Sequence, residues 1–217
     1  MKNTGNTTKK AMRLYAVTDR SWLCGRSLAQ VVEESLKGGV TFLQIREKDL
    51  EEQSFEEEAI QLKKLAKDYK VPFVVNDNVN LAKKIDADGV HIGQSDAELK
   101  EARRMLGPDK IIGVSAHNVQ EAIEAEKGGA DYLGVGAVFT TSTKKDADAV
   151  PFEVLQEICS KVSIPVVAIG GINRDNVCEL KGSGIDGIAV VSAIYAAENI
   201  ELASKELLSL VKEMIEE

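Results

Sequence analysis

The stretch Lys37-Gly38-Gly39-Val40-Thr41-Phe42-Leu43-Gln44-Ile45-Arg46-Glu47-Lys48 holds the end of one element and the whole of the next. A lysine followed by glycine is helix-terminating chemistry: the cation meets the last carbonyls and glycine tolerates the turn. The apolar run behind it carries a polar residue at every second position, which is the period of a strand. The joint returns as Lys127-Gly128-Gly129-Ala130 and as Lys181-Gly182-Ser183-Gly184, each directly ahead of another β-type run.

Working outward, strand patterns read at 14–19, 42–47, 72–77, 89–93, 111–116, 132–137, 165–171 and 187–192. Helical patterns lie between them at 27–37, 53–69, 79–85, 96–106, 118–128, 151–161, 173–181 and 199–215. Strict alternation of strand and helix predicts parallel strands with helical crossovers. Eight such units without a linker predict an α/β fold of the (β/α)8 TIM-barrel type, one domain over 13–217 behind a flexible tail over 1–12. An open doubly wound sheet is the alternative, weakened because no G-x-G-x-x-G follows the first strand.

The chain has 217 residues, 44% hydrophobic and 29% charged, with a formal net charge of −8. That is enough to bury the core of one α/β domain. The acidic balance speaks against a general nucleic-acid surface or an anionic-membrane surface. No apolar run reaches membrane-spanning length, and no apolar segment follows the charges of the first ten residues, so a cytoplasmic protein is expected. Cys24, Cys159 and Cys178 show no metal-type or paired spacing and are expected as reduced structural thiols. Two histidines, His91 and His117, make a multi-histidine zinc site unsupported. His91, inside an apolar strand, reads as a core histidine satisfied by neighbours, and neither imidazole is assigned a catalytic role.

The second strand is unusual on one face. Gln44, Arg46 and Lys48 lie on the side where a strand normally places apolar groups, and an unpaired buried cation is costly. Two cations and an amide in line ask for an anion, although an internal salt-bridge network with Glu47 and Asp49 would also answer them. Arginine's planar fork and lysine's point charge both suit phosphate oxygens. In a barrel the C-terminal strand ends form the mouth where ligands bind. Asn76 and Asp77, Gln94 and Asp96, Ser115, Thr141, Thr143 and Lys144, Gly170 and Gly171, and Val191 and Ser192 all fall at or just after strand ends.

Asp77 and Asp96 at neighbouring strand ends could hold Mg2+, which takes one or two carboxylates together with water and substrate phosphate. Asp96 also fits a plain capping box, Ser95-Asp96-Ala97-Glu98. The polar run Thr141-Ser142-Thr143-Lys144-Lys145 reads as a closing loop over the mouth or as an ordinary solvent loop. Gly170 and Gly171, with Val191 and Ser192, fit the phosphate site that barrels place after strands seven and eight.

These motifs, taken in order, resemble the thiamine phosphate synthase family: Leu14-Tyr15-Ala16-Val17-Thr18-Asp19, Gln44-Ile45-Arg46-Glu47-Lys48, Asn76-Asp77, Ala87 to Gln94 with Asp96, Gly113-Val114-Ser115, Thr141-Ser142-Thr143-Lys144, Ile169-Gly170-Gly171-Ile172 and Val190-Val191-Ser192. The resemblance implies a transferase that joins a pyrimidine methyl pyrophosphate to a thiazole phosphate, with Mg2+, releasing pyrophosphate. It implies that Gln44, Ile45, Arg46, Glu47, Lys48, Asn76, Ser115 and Lys144 hold the pyrimidine pyrophosphate, with Lys48, Lys144, Arg46 and Ser115 as the catalytic set. Thr141, Ser142, Thr143, Gly171, Val191 and Ser192 would face the thiazole phosphate, and Asp77 and Asp96 the Mg2+. The partners implied are small-molecule substrates, with no nucleic acid and no membrane, and a homo-oligomer left open. One departure is Gly136-Ala137-Val138-Phe139-Thr140-Thr141, where the family usually carries prolines. The alternatives are a synthase-like thiazole tautomerase and a non-catalytic paralogue that binds a related ligand.

Overall fold

A computed structural model describes residues 9–47, 50–140 and 149–216, with the side chains of 96 and 97 excepted. Eight parallel strands close into a barrel in the order of the sequence: β1 (Leu14–Val17), β2 (Phe42–Ile45), β3 (Phe73–Asn76), β4 (Gly89–Ile92), β5 (Ile111–Ala116), β6 (Tyr132–Gly136), β7 (Val166–Ile169) and β8 (Gly187–Val190). Around it run α1 (Leu28–Lys37), α2 (Glu52–Asp68), α3 (Val79–Lys84), α4 (Asp96–Leu106), α5 (Val119–Gly128), α6 (Phe152–Lys161), the short α7 (Ser192–Tyr195) and α8 (Ile200–Glu216). The (β/α)8 expectation holds. Among the described residues no helix is long and apolar enough to cross a membrane.

Alternation along each strand divides the core in two. Ala16, Leu43, Ile45, Val75, Val90, Ile112, Leu133, Ala168 and Ile188 face the helical layer. Their register neighbours Tyr15, Val17, Phe42, Val74, Tyr132, Val167 and Ala189 fill the barrel with Met12. Met12 is fully buried and residues 9–11 are helical, within the stretch expected as tail.

The recurring joint has a mechanical meaning at the base of the barrel. The residue before each even-numbered strand turns its side chain onto a free N–H of the preceding odd strand. Leu14 N–H donates to Thr41 Oγ1 at 2.8 Å and Phe73 N–H to Asp88 Oδ2 at 2.8 Å. Ile112 N–H donates to Asp131 Oδ2 at 2.7 Å and Val166 N–H to Asp186 Oδ2 at 3.0 Å. Donors that a short parallel strand leaves unpaired at its start are thereby satisfied. The glycines of the joint have separate jobs. Gly129 caps α5 in the left-handed region at φ 95°, whereas Gly38 is an ordinary helical residue whose Cβ would lie 2.4 Å from Glu201 O on α8.

One expected helix is absent. Over 173–181 the chain makes only a 3-10 turn, Val177–Leu180. Asn173 N–H donates to Asn176 Oδ1, Asp175 N–H donates to Asn173 Oδ1, and Asn176 Nδ2 donates to Gly171 O. Short amide side chains that capture backbone groups compete with the helical ladder. They brace the glycine turn after β7 instead.

Candidate active site

The strands end earlier than their sequence pattern, so Arg46, Asp77, Gly170, Gly171, Val191 and Ser192 sit just beyond them, on the rim. One open cavity occupies the C-terminal mouth. Its wall includes Gln44, Arg46, Asn76, Ser115, Gly171, Val191 and Ser192, brought together from five strand ends. Ile45 and Glu47 do not line it. Ile45 belongs to the core behind the sheet, and Glu47 faces away, accepting from Arg20 Nε at 2.9 Å. Burial raises the Glu47 carboxyl against the opposing pull of Arg20. Lys48, Thr141, Ser142, Thr143 and Lys144 lie outside the described residues, as does the Asp96 side chain.

Of the two acids in the rival salt-bridge reading of Arg46, Glu47 is engaged elsewhere and Asp49 lies outside the described residues. Glu47 is held by Arg20, which also contacts Glu58, and no ion pair joins Arg46 to an acid among the described residues. Its backbone is fixed from β1: Arg46 N–H donates to Thr18 Oγ1 at 2.9 Å, and Thr18 N–H donates to Gln44 O at 3.0 Å. The fork is thus placed in the mouth with no ion pair among the described residues, a setting that favours an anion.

Across the cavity, Gly170 and Gly171 take φ values of 101° and 68°. A Cβ on Gly171 would meet Thr140 O at 2.5 Å. Only glycine permits this turn, which exposes backbone beside the start of α7. Val138 N–H and Phe139 N–H donate to Ile169 O and Gly170 O, so the segment after β6 continues alongside β7 without the prolines that the resemblance leads one to expect.

Asp77 is an exposed carboxylate in the left-handed region at φ 57°, accepting from Asn76 Nδ2 at 2.7 Å. Ser95 caps α4, so Asp96 is the first helical residue. No group of three or more acidic, histidine or cysteine side chains able to hold a metal exists among the described residues. Asp77 sets one exposed carboxylate on the rim, and Mg2+ takes one or two carboxylates together with water and substrate phosphate.

The floor of the cavity was not legible as a site in the sequence. Tyr15, Phe42 and Tyr132 pack edge to face with ring centroids 4.6–5.9 Å apart. Gly113 makes room for them: a Cβ there would lie 2.0 Å from Tyr132 Cζ. Above the rings a polar chain crosses the barrel. Gln44 Nε2 donates to Tyr15 Oη, which lies 2.9 Å from Tyr132 Oη. Tyr132 Oη is 3.0 Å from His91 Nδ1, and His91 Nε2 is 3.0 Å from Ser115 Oγ. Burial raises both tyrosine pKa values, so both hydroxyls stay protonated at neutral pH. His91 is satisfied by neighbours, as expected, but it also lines the cavity. His117 lines it too, held through its backbone N–H by Glu121 Oε2 at 2.7 Å and touched by Gln94. A polar residue in an otherwise apolar strand was the only sequence signal for His91.

Cys24 and Cys178 are exposed, Cys159 is half-buried, and all three are unpaired.

Fold and site together define a (β/α)8 barrel whose mouth sets an arginine-bearing wall across from a glycine wall. Comparison with known proteins is specific. Residues 14–194 match the family described as "Thiamine monophosphate synthase". The "Thiamine-phosphate synthase" of Clostridium acetobutylicum is 52% identical over 200 residues, covering 92% of this chain and 95% of that protein. That of Shouchella clausii is 48% identical over 205 residues, covering 94% and 98%. A solved structure of "Thiamine phosphate pyrophosphorylase" from Pyrococcus furiosus superposes with a TM-score of 0.88 at 42% identity, over 95% of this chain and 98% of that one. This chain belongs to the thiamine monophosphate synthase family. Neither the tautomerase nor the ligand-binding paralogue is favoured by these relatives.

Proposed function

We propose that the protein condenses 4-amino-2-methyl-5-(diphosphooxymethyl)pyrimidine with 4-methyl-5-(2-phosphooxyethyl)thiazole, giving thiamine phosphate and pyrophosphate. The observation that carries the reading is one cavity with two walls suited to phosphate: Arg46, which has no ion pair among the described residues, on one side, and the Gly170-Gly171 turn with the start of α7 on the other. Two anion-suited walls around one apolar floor match two phosphorylated substrates whose rings must meet.

In the substitution, the C–O bond to the diphosphate breaks and its electron pair leaves with pyrophosphate. The electron-rich aminopyrimidine stabilises the carbon left positive, and the thiazole nitrogen lone pair forms the new C–N bond. That nitrogen carries no proton, so no general base is required. Arg46 and Ser115 bind the diphosphate end, Asn76 lies beside them, and Gln44 orients the ring. Gly171, Val191 and Ser192 receive the thiazole phosphate through backbone and hydroxyl groups. By family resemblance Lys48 and Lys144 add charge on the diphosphate, and Thr141, Ser142 and Thr143 contact the thiazole phosphate. Asp77 and Asp96 would hold Mg2+, which when bound neutralises charge on the diphosphate. The protein's own contribution is alignment and preorganised charge, and alignment alone can be worth about 7–11 kcal/mol.

Incubating the protein with both substrates and Mg2+ should give thiamine phosphate and pyrophosphate in equal amounts. Failure to form either at any protein concentration overturns the reading.

A further inference from the structure

The polar chain across the barrel floor has a direction. Gln44 Nε2 donates to Tyr15 Oη. With Tyr15 Oη accepting from Gln44, its own proton is directed to Tyr132 Oη at 2.9 Å. The Tyr132 proton passes in turn to His91 Nδ1 at 3.0 Å. With Nδ1 accepting, the neutral imidazole carries its proton on Nε2, which donates to Ser115 Oγ at 3.0 Å. Each proton is used once, because a buried hydroxyl left without an acceptor is costly. Tyr132 is fully buried, and Tyr15 is nearly so although it touches the cavity, which limits the alternatives open to their protons.

The two ends of the chain are what a ligand meets. Gln44 has committed one of its two Nε2 hydrogens to Tyr15, which fixes the amide so that its carbonyl Oε1, with the second N–H beside it, is what meets the cavity. Ser115 has accepted from His91 and offers its O–H. If the Gln44 amide turned over, every proton would reverse, and Ser115 would become an acceptor towards the cavity. The two ends, on β2 and β5, are therefore read together.

We propose that Tyr15, Tyr132 and His91 are positioning residues forming a one-way hydrogen-bond relay, which holds Gln44 as an acceptor and Ser115 as a donor and so selects a ring bearing an amino group over its oxo counterpart. The proposal rests on the pyrimidine reading of the cavity for its ligand, but not for its direction. An amino group donates to Gln44 Oε1 and supports the relay as built. An oxo group opposes it and forces either an unpaired contact or reversal of the whole chain. Sites built to hydrogen-bond one polar group reject the analogue lacking it far better than apolar pockets separate sizes.

Two measurements test this. Nitrogen-15 NMR of the full-length protein without ligands, with His117→Gln to assign the second histidine, should show His91 neutral with its proton on Nε2 at pH 7.5. A proton on Nδ1, or an imidazolium, overturns the relay whether or not the protein makes thiamine phosphate. The second measurement is the ratio of kcat/KM for the amino-pyrimidine pyrophosphate over the 4-oxo analogue. Tyr132→Phe should lower this ratio about tenfold or more and leave KM for the thiazole phosphate within twofold. Tyr15→Phe should do the same and serves if Tyr132→Phe folds poorly. A ratio unchanged in a folded variant refutes the selection. Inactive wild type would instead sink the proposed reaction, with the NMR result still judging the relay.

Discussion

Replacing Asp131 with alanine isolates what the base of the barrel contributes. Its Oδ2 accepts from Ile112 N–H at 2.7 Å and from Arg103 Nη2 at 2.6 Å. Ile112 is fully buried, so the substitution strands a backbone donor where water cannot readily replace the acceptor. That costs about 1–3 kcal/mol. The ion pair is partly exposed, with side chains 25% and 42% accessible, and adds about 0–1 kcal/mol. Arg103 keeps the carbonyls of Gly107, Lys110 and Gly129, so the loop beneath α4 stays anchored. The sum is about 1–4 kcal/mol, and at its centre of ~2.5 kcal/mol it corresponds to roughly 5–10 °C in Tm for a domain of this size. Asp131→Asn keeps an acceptor for the N–H and should lose less than half as much. Urea titration with thermal unfolding measures the loss, and turnover at 25 °C should match wild type because the residue lies at the end opposite the mouth. A Tm within about 2 °C of wild type would refute the donor-capping account, as would a tenfold fall in kcat at full folding.

Alkali offers a second check. Burial raises the pKa of Tyr15, Tyr132 and Tyr195. A raised folded-state pKa means the stability is fully present below the unfolded value near 10 and is lost as pH climbs toward the folded one. Three such groups give a loss of about 4 kcal/mol per pH unit above pH ~11, and Tyr132→Phe should reduce the slope by about a third; equal slopes in both proteins would contradict the burial of that hydroxyl. Arg46→Ala should raise KM for the pyrimidine pyrophosphate and the inhibition constant of pyrophosphate about tenfold or more, leaving KM for the thiazole phosphate nearly unchanged; parallel shifts in both substrates would show that the walls are not separate. Gly113→Ala drives a methyl into the Tyr132 ring and should destabilise the fold by about 1–3 kcal/mol while disturbing the His91 signal; a variant with native stability and spectrum would refute the packing of the floor.

Local periodicity carries far in this chain. The step between Gln44 and Arg46, and the glycine joints ahead of Phe42, Tyr132 and Gly187, identify strands, parallel order and a barrel. Neighbour-to-neighbour sterics fix those patterns, and they survive in a linear reading. Barrel topology then puts Arg46, Asp77, Ser115 and Gly171 on one rim before any coordinate is known. Where side chains answer to one another rather than to a period, the linear reading fails: the Asn173 and Asn176 amides dissolve a helix that spacing alone predicts.

The floor of the cavity belongs to that second kind. Tyr15 and Tyr132 are separated by 117 residues, and their hydroxyls meet only because closure sets β1 and β6 facing across the barrel interior. In the sequence each is one more aromatic in an apolar strand, and His91 one more core histidine. The sequence by itself determined the barrel, its rim and the family, because these follow from repeated local pattern and motif. Tertiary structure alone decided that Glu47 turns away to Arg20, that Arg46 stands without an acid among the described residues, and that five polar groups from five strands join in one chain. Those outcomes depend on register and closure, which bring distant side chains within 3 Å and leave no trace in the order of residues along the chain.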